Sequence, residues 1–96
     1  MKGLMKAAFR DPNPVIMLEH KGLYWSKVPG TEEAKTIEPA SNYIIPLGKA
    51  TTVLAASEEA FENGSTCCII TYGMGVFWSK AAAKYFPGQI LSLIHI

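Results

Sequence analysis

The chain has little cysteine, little charge and no long hydrophobic run. Its 96 residues include two cysteines, and charged side chains make up only 18% of it. Cys67 and Cys68 are adjacent, so in an extended segment they point to opposite faces and form a poor disulfide pair. No CxxC motif and no neighbouring histidine completes a zinc set. We therefore expect two buried, inert thiols in a reducing compartment.

Charge and hydropathy exclude further classes of protein. Nine Lys and Arg oppose eight Asp and Glu, for a net charge of +1, which leaves no electrostatic footprint for nucleic acid or acidic lipid. The longest apolar run is far below the roughly 20 residues of a membrane helix, and no apolar region of signal-peptide length follows the N-terminus. The expected location is the cytoplasm, or the mitochondrial matrix in a eukaryote.

The first part of the chain predicts a helix followed by a strand. Residues 1–10 place apolar side chains at the i, i+3, i+4, i+7 spacing of an amphipathic helix. Asp11-Pro12-Asn13-Pro14 then ends the helix, since each proline disfavours helical backbone in the residue before it. Val15–Leu18 is continuously apolar, which is typical of a strand buried on both faces of a parallel sheet.

The middle of the chain lacks a clear period. Prolines and polar residues interrupt the pattern between Tyr24 and Leu47, which indicates a linker between two domains. Residues 50–63 are ambiguous: Thr51–Leu54 could be a short strand, and Ser57–Glu62 resembles a capped helical turn.

The last part of the chain predicts a strand, a turn, a helix and a second strand. Cys67–Tyr72 is the strand, Gly73–Gly75 the turn, and Val76–Phe86 the helix, which Pro87-Gly88 ends before an apolar run from Gln89 to Leu91. This order is the βαβ unit of a parallel α/β sheet. Because a parallel pair needs neighbouring strands and covered faces, the sequence looks cut from something larger.

Two strings in the first half carry a resemblance, GLMKAAFRDPNPVIMLEHKGLYW from residue 3 and, after the proline-broken linker, YIIPLGKA. They resemble the beta subunit of the thiamine diphosphate-dependent first component of 2-oxoacid dehydrogenase complexes, which include the pyruvate and branched-chain 2-oxoacid dehydrogenases. The later string IITYGMGVFWSKAAA is similar to the opening strand, turn and helix of that subunit's transketolase C-terminal domain.

The resemblance implies an α/β chain with the end of one parallel-sheet domain and the opening βαβ unit of a second. Residues 1–23 would close a pyrimidine-binding domain, residues 24–64 would connect the domains, and residues 65–90 would open the transketolase C-terminal-like domain. Residues 91–96, LSLIHI, are similar to translated sequencing-adaptor sequence, so we expect a non-native tail on a truncated fragment.

The resemblance also implies a function for the parent protein. The parent would decarboxylate pyruvate or a branched-chain 2-oxoacid on thiamine diphosphate with Mg, and would pass the acyl group to a lipoyl carrier. Its partners would be an alpha subunit, or a fused alpha region, and the lipoyl acyltransferase component. The residues that activate the cofactor belong upstream in this family. We therefore assign no catalytic, cofactor-binding or metal residue, and expect the fragment alone to be inactive.

His20 is the first candidate site residue, because it follows the predicted strand where α/β folds tend to place ligands. It could transfer a proton or order an active-site wall. A hydrogen-bonded histidine at a strand end is favoured, since the general acid–base histidine of the family belongs upstream. Glu19 and Lys21 are interpreted as surface or interface charges, and His95 lies in the suspected tail.

The turn at Gly73-Met74-Gly75 is the second candidate, because a helix N-terminus can bind phosphate. It lacks the third glycine and the later acidic residue of a dinucleotide site. In the resembled family the alpha subunit holds the diphosphate, so a tight structural turn is favoured. Phe77, Trp78, Tyr85 and Phe86 are predicted to pack or to contact other subunits, because no basic cluster accompanies them.

Two other functions stay open. Another transketolase-like enzyme, such as transketolase or deoxyxylulose-phosphate synthase, is disfavoured by the EHK-GLYW string and the long connector. A stand-alone interaction module without chemistry would be favoured by monomeric, cooperative unfolding of the 96 residues.

Overall fold

The structure is a computed structural model that describes residues 1–25 and 27–94. Its internal contacts divide the chain into two units, with the division between Lys49 and Ala50. Each unit has its own secondary structure and is described by itself.

The first unit begins with the predicted amphipathic helix, α1, over Lys2–Arg10. The helix ends at Asp11, whose backbone is extended, with φ −74° and ψ 133°. The Asp11 carboxylate accepts a hydrogen bond from the Asn13 amide at 2.9 Å, so the side chain itself organises the turn after the helix. The prediction of a helix stopped at this proline-rich turn is confirmed.

The predicted buried strand over Val15–Leu18 is wrong for this chain. These residues are extended but pair with no strand among residues 1–25 and 27–94. Ile16 is 88% exposed and Leu18 is 81% exposed. A continuous apolar run indicates a strand only where neighbouring strands supply hydrogen bonds and cover, and the described part of the first unit supplies none.

The predicted linker contains two short helical segments. Helix α2 covers Lys21–Tyr24, and a single 3-10 turn covers Glu32–Ala34. Between them the Thr31 amide donates to the Val28 carbonyl at 3.2 Å, and the Thr31 hydroxyl donates to the same oxygen at 2.6 Å. Local turns therefore supply hydrogen bonds to backbone groups that would be bonded within a sheet in other parts of a protein.

The second unit contains a three-stranded mixed sheet in the order β1-β3-β2. Its elements follow the chain as β1 (Thr51–Leu54), α3 (Glu58–Glu62), β2 (Cys67–Thr71), α4 (Met74–Ala83) and β3 (Ile90–Ile94). Strands β2 and β3 are parallel and joined through α4, as predicted for a βαβ unit. Strand β1 pairs antiparallel with β3, so the expected parallel sheet is corrected to a mixed one, as is common when an edge strand is added.

The ambiguous region from residue 50 to residue 63 forms both suggested elements. The Ser57 hydroxyl accepts a hydrogen bond from the Ala60 amide at 3.2 Å, which caps α3. Strand β1 and helix α3 lie within the range assigned to the connector, and β1 belongs to the sheet. The suspected tail also contributes to the sheet, because Leu91–Ile94 lies within β3. Residues 95 and 96 lie outside the described residues, and the non-native origin of the tail stays a prediction.

Few side chains of the second unit are buried. Ala60, Val76 and Ile90 are its buried apolar residues, and Ser79 and Ser92 are its buried polar ones. The Ser79 hydroxyl donates to the Gly75 carbonyl at 2.8 Å, whereas the Ser92 hydroxyl has no hydrogen-bond partner among the described residues. The centre of the sheet therefore contains a polar group that the fold leaves unsatisfied.

Candidate functional site

The glycine turn between β2 and α4 is the candidate site best defined by geometry. Gly73 precedes the helix with φ 56° and ψ −128°, a backbone conformation that side chains strongly disfavour. Gly75 lies against the end of β2, because a Cβ there would overlap the Thr71 hydroxyl and lie 3.2 Å from Thr71 Cβ. Each glycine thus has its own steric reason.

The same turn is a poor phosphate site. A phosphate at a helix N-terminus needs free amides. Here the Gly75 amide donates to the Tyr72 carbonyl at 3.1 Å, and the Val76 amide donates to the Gly73 carbonyl at 3.3 Å. Two of the amides at this helix N-terminus are therefore bonded within the turn, which reduces the number of donors that it offers to a phosphate. The interpretation as a structural turn stays a prediction.

The aromatic residues of α4 and of the segment after it are mostly exposed. Phe77 is half-buried. Trp78 is 67% exposed and Tyr85 is 82% exposed, and Phe86 is also exposed. The predicted role of these rings in packing or in contacts with other subunits stays a prediction.

His20 lies at the start of α2, beside a tyrosine–carboxylate pair. The Tyr24 hydroxyl donates a hydrogen bond to the Glu19 carboxylate. This hydrogen bond, partial desolvation and the negative charge of Glu19 raise the pKa of Tyr24 above its ordinary value of 10.0. The His20 side chain is exposed and makes no capping hydrogen bond to α2. Lys21 is exposed as well, as expected for a surface charge.

The prediction of buried cysteines is wrong. Cys67 and Cys68 are free thiols, and both are exposed. The reason is missing cover, because the two side chains project from opposite faces of β2 and neither face is covered at these positions. Adjacent positions on one strand still point to opposite faces, so the two thiols do not combine into a chelating pair.

Sequence reasoning missed a close approach between α1 and the segment around residues 36–45. The Ile45 amide donates to the Gly3 carbonyl at 3.2 Å, and a Cβ on the buried Gly3 would lie 2.7 Å from Tyr43 Cε1. Lys2 donates to the Glu38 carboxylate and, at 3.3 Å, to the Pro39 carbonyl. The hydrogen bond and charge of Lys2 lower the pKa of Glu38 below its ordinary value of 4.5. The sequence feature that could have predicted this close approach is a glycine inside an amphipathic helix.

Each unit has an open concave surface. One, of about 450 Å³, lies beside Gly3, Glu38 and Tyr43 in the first unit. The other, of about 290 Å³, lies between α3 and Leu91 in the second unit. Across residues 1–25 and 27–94, no group of three or more His, Cys, Asp and Glu side chains is placed to hold a metal ion. None of the described helices is long and apolar enough to cross a membrane.

Comparison with known proteins identifies the relatives of the chain. The 2-oxoisovalerate dehydrogenase subunit beta of Bacillus subtilis is 36% identical over 83 residues, which are 86% of this chain and 21% of the relative. The mitochondrial pyruvate dehydrogenase E1 component subunit beta of Caenorhabditis elegans is 37% identical over 83 residues, 86% of this chain and 20% of the relative. The corresponding subunit of Ascaris suum is 45% identical over 82 residues, 85% of this chain and 19% of the relative. The chain belongs to this family of dehydrogenase beta subunits.

The match to these beta subunits covers most of this chain but only a small part of each relative. The chain spans about one fifth of the length of the relatives, although they cover most of the chain. No family model matches the chain, and no solved structure matches it. The resemblance drawn from the sequence is confirmed, and the short coverage is consistent with a fragment of a beta subunit.

Proposed function

We propose that the chain is a piece of the beta subunit of a 2-oxoacid dehydrogenase first component. The parent oxidatively decarboxylates pyruvate or a branched-chain 2-oxoacid on thiamine diphosphate with Mg, and transfers the acyl group to a lipoyl carrier. Its partners are the alpha subunit, or a fused alpha region, and the lipoyl acyltransferase component. The observation that carries the proposal is the identity of 36% to 45% with beta subunits over more than four fifths of the chain.

The domain assignment is part of the same proposal. Residues 1–23 close a pyrimidine-binding domain, residues 24–64 form the connector, and residues 65–90 open a transketolase C-terminal-like domain. The connector contributes β1 to the sheet of the second unit. Residues 91–96 are a non-native tail, an assignment that rests on their likeness to translated sequencing-adaptor sequence.

The contribution of this piece to the parent is structural. The glycine turn serves as a tight βα connection, in which the Gly75 and Val76 amides are bonded within the turn. The exposed side chains of Trp78 and Tyr85 are suited to contacts with other parts of the assembly. No step of the reaction is assigned to a residue of this chain, and the chemistry belongs to the cofactor and the rest of the subunit.

A chimeric beta subunit tests the proposal. Residues 3–90 replace the homologous segment of the Bacillus subtilis beta subunit, which is coexpressed with its alpha subunit. If the chain is a beta-subunit segment, the chimera should copurify with the alpha subunit and decarboxylate a branched-chain 2-oxoacid above a blank. A matched control carries Gly75→Val, which should impair assembly.

Two outcomes would favour the alternatives. A chimera that folds but neither assembles nor turns over would favour another transketolase-like enzyme as the parent. Monomeric, cooperative unfolding of the isolated chain, together with that failure, would favour a stand-alone interaction module.

A further inference from the structure

Residues 36–45 contact α1 at several points and form no helix or strand of their own. Near the end of this segment, the Ile45 amide donates to the Gly3 carbonyl at 3.2 Å. Nearer its start, Lys2 of α1 donates to the Glu38 carboxylate. We call residues 36–45 the strap, because α1 holds the segment near both of its ends.

Gly3 is the point on α1 that the strap approaches most closely. It is buried, and a Cβ added to it would lie 2.7 Å from Cε1 of the Tyr43 ring and 3.0 Å from Cγ1 of Ile45. The first separation is too short for a real contact, so any side chain at this position would displace the ring of Tyr43. The strap therefore packs on helix backbone that only glycine leaves open.

Two lysines of α1 hold the other part of the strap. Lys2 and Lys6 are four residues apart and therefore lie on one face of the helix. Both ammonium groups donate to carbonyls of the strap, Lys2 to that of Pro39 at 3.3 Å and Lys6 to that of Ser41. Glu38 adds the ion pair with Lys2, and its side chain is 76% exposed. Because an exposed ion pair contributes little and is screened by salt, these contacts bias the position of the strap without fixing it.

We propose that the strap is a closure of the first unit that charge controls. It packs on α1 while Glu38 and the two lysines are charged, and it detaches from the helix when Glu38 is neutralised or when salt screens the charges. Residues 36–39, Tyr43 and Ile45 of the strap line the concave surface of about 450 Å³ beside Gly3. Detachment of the strap therefore removes one wall of that surface while α1 stays folded.

The hydrogen bonds of α1 itself do not involve the strap. The Met5 amide donates to the Met1 carbonyl at 2.9 Å, and the Asp11 amide donates to the Ala7 carbonyl at 3.1 Å. The helix can therefore keep its bonds while the strap detaches, which makes detachment a local opening of the first unit. This inference rests on contacts among residues 2–45 and does not depend on the proposed function.

Acid should detach the strap. The hydrogen bond and charge of Lys2, with the charge of Lys6, lower the pKa of Glu38 below its ordinary value of 4.5, and partial desolvation opposes them. A carboxyl group whose pKa is lowered in the closed state stabilises that state above pH 4.5, and the stabilisation is lost as the pH falls through the lowered pKa. The NMR signal of Gly3 Hα, beside the Tyr43 ring, should titrate with a midpoint below pH 4.5, and Glu38→Gln should abolish this titration.

Amide hydrogen exchange of the 96-residue chain tests the opening directly. The Ile45 amide reports on the strap, and the Asp11 amide reports on α1. Glu38→Gln should speed exchange of the Ile45 amide about two- to fivefold and leave that of Asp11 unchanged. The matched control, Glu62→Gln in the second unit, changes the net charge equally and should alter neither rate. Salt at about 1 M, where the screening length is about 3 Å, should speed Ile45 exchange more in the unaltered chain than in Glu38→Gln.

A substitution at Gly3 tests the packing of the strap on the helix. Gly3→Ala should speed exchange of the Ile45 amide by about tenfold or more, because the new Cβ displaces Tyr43. The same change favours α1 itself, since alanine is a better helix former than glycine. Added to Tyr43→Ala, which removes the obstructing ring, Gly3→Ala should have a much smaller effect on Ile45 exchange.

The remaining outcomes also decide the proposal. Equal acceleration of Ile45 and Asp11 exchange would show that strap and helix open together, and would overturn it. An Ile45 exchange rate that neither Glu38→Gln nor salt changes would overturn it as well. If Glu38→Gln fails to fold, carbodiimide coupling of Lys2 to Glu38 in the unaltered chain decides instead. The amide should form at low salt and be lost at high salt, with Lys2→Arg as the charged control that cannot form it, and its absence at low salt would overturn the proposal.

Discussion

At the scale of single residues, two buried serines of the second unit have opposite surroundings. Ser92 and Ser79 are both buried, but only Ser79 has a hydrogen-bond partner, the Gly75 carbonyl at 2.8 Å. A buried hydroxyl without a partner costs about 1 to 3 kcal/mol. Ser92→Ala should therefore raise the free energy of unfolding by about 1 kcal/mol or more, measured by urea denaturation. Ser79→Ala is the matched control and should give no gain beyond the few tenths of a kcal/mol that alanine adds in a helix. Destabilisation by Ser92→Ala would show that its hydroxyl is satisfied after all.

The two turn glycines should respond differently to alanine. Gly73→Ala strains the backbone at φ 56°, at a cost of about 1 to 3 kcal/mol. Gly75→Ala instead presses its Cβ against Thr71. A second change, Thr71→Ala, should partly restore the thermal stability of Gly75→Ala and leave that of Gly73→Ala unchanged. In the full-length parent, each glycine variant should lose stability without a selective loss of thiamine diphosphate binding. Selective loss of the cofactor from a stable variant would instead make the turn a binding site.

At the scale of elements, local signals in the sequence predicted the helices and the βαβ unit, whereas the pairing of strands distant in sequence was not predicted. Helices α1 and α3 have their own periodicity and end signals, and the β2-α4-β3 unit is delimited by glycine and proline. Helix α4 begins at Met74 rather than Val76, because Gly73 serves as its cap, and it ends at Ala83 rather than at Phe86 before Pro87-Gly88. The errors at Val15–Leu18 and at the two cysteines share one cause. An apolar run indicates that a segment prefers burial, but cover supplied by distant parts of the chain decides whether it becomes buried.

In the candidate site, too, local features were predictable from the sequence and non-local contacts were not. The glycine turn was found because glycine requirements are local. The contact of Gly3 with Tyr43 joins residues far apart in sequence, and no pattern near either residue specifies the other. The exposure of Trp78 and Tyr85 likewise depends on what the rest of the assembly covers.

The contrast between the linker and the βαβ unit predicts an order of proteolysis. Lys27 and Lys35 are exposed and lie outside helices and strands, whereas Lys80 is half-buried within α4. Because a protease needs an extended, accessible backbone, trypsin should cleave at Lys27 or Lys35 before it cleaves at Lys80 within α4. Mass spectrometry of early digestion products measures the order. First cleavage at Lys80 would contradict the assignment of a connector.

At the scale of the whole molecule, apolar exposure is high for a chain this small. Several large side chains in both units are more than two thirds exposed: Phe9, Ile16, Leu18, Trp25, Ile37, Phe61, Ile70, Tyr72, Trp78 and Tyr85. A small domain has a thin margin of stability even when its apolar side chains are covered. The relatives are about five times longer than the matched segment, which is consistent with a chain whose apolar faces are covered in the parent.

This exposure, together with the glycine turn, leads to the last prediction. The chain should not bind thiamine diphosphate with Mg on its own, because the Gly75 and Val76 amides of the turn are already bonded and no described cluster is placed to hold the metal ion. Calorimetric titration of the 96-residue chain should show no saturable binding, and no carbon dioxide should be released from pyruvate or branched-chain 2-oxoacids. The assembled alpha and beta subunits of a relative are the positive control, and should bind the cofactor under the same conditions. Saturable binding or turnover by the chain alone would require a site that the glycine turn, the Glu19–Tyr24 pair and the open concave surfaces do not provide, and would overturn the proposal of a purely structural piece.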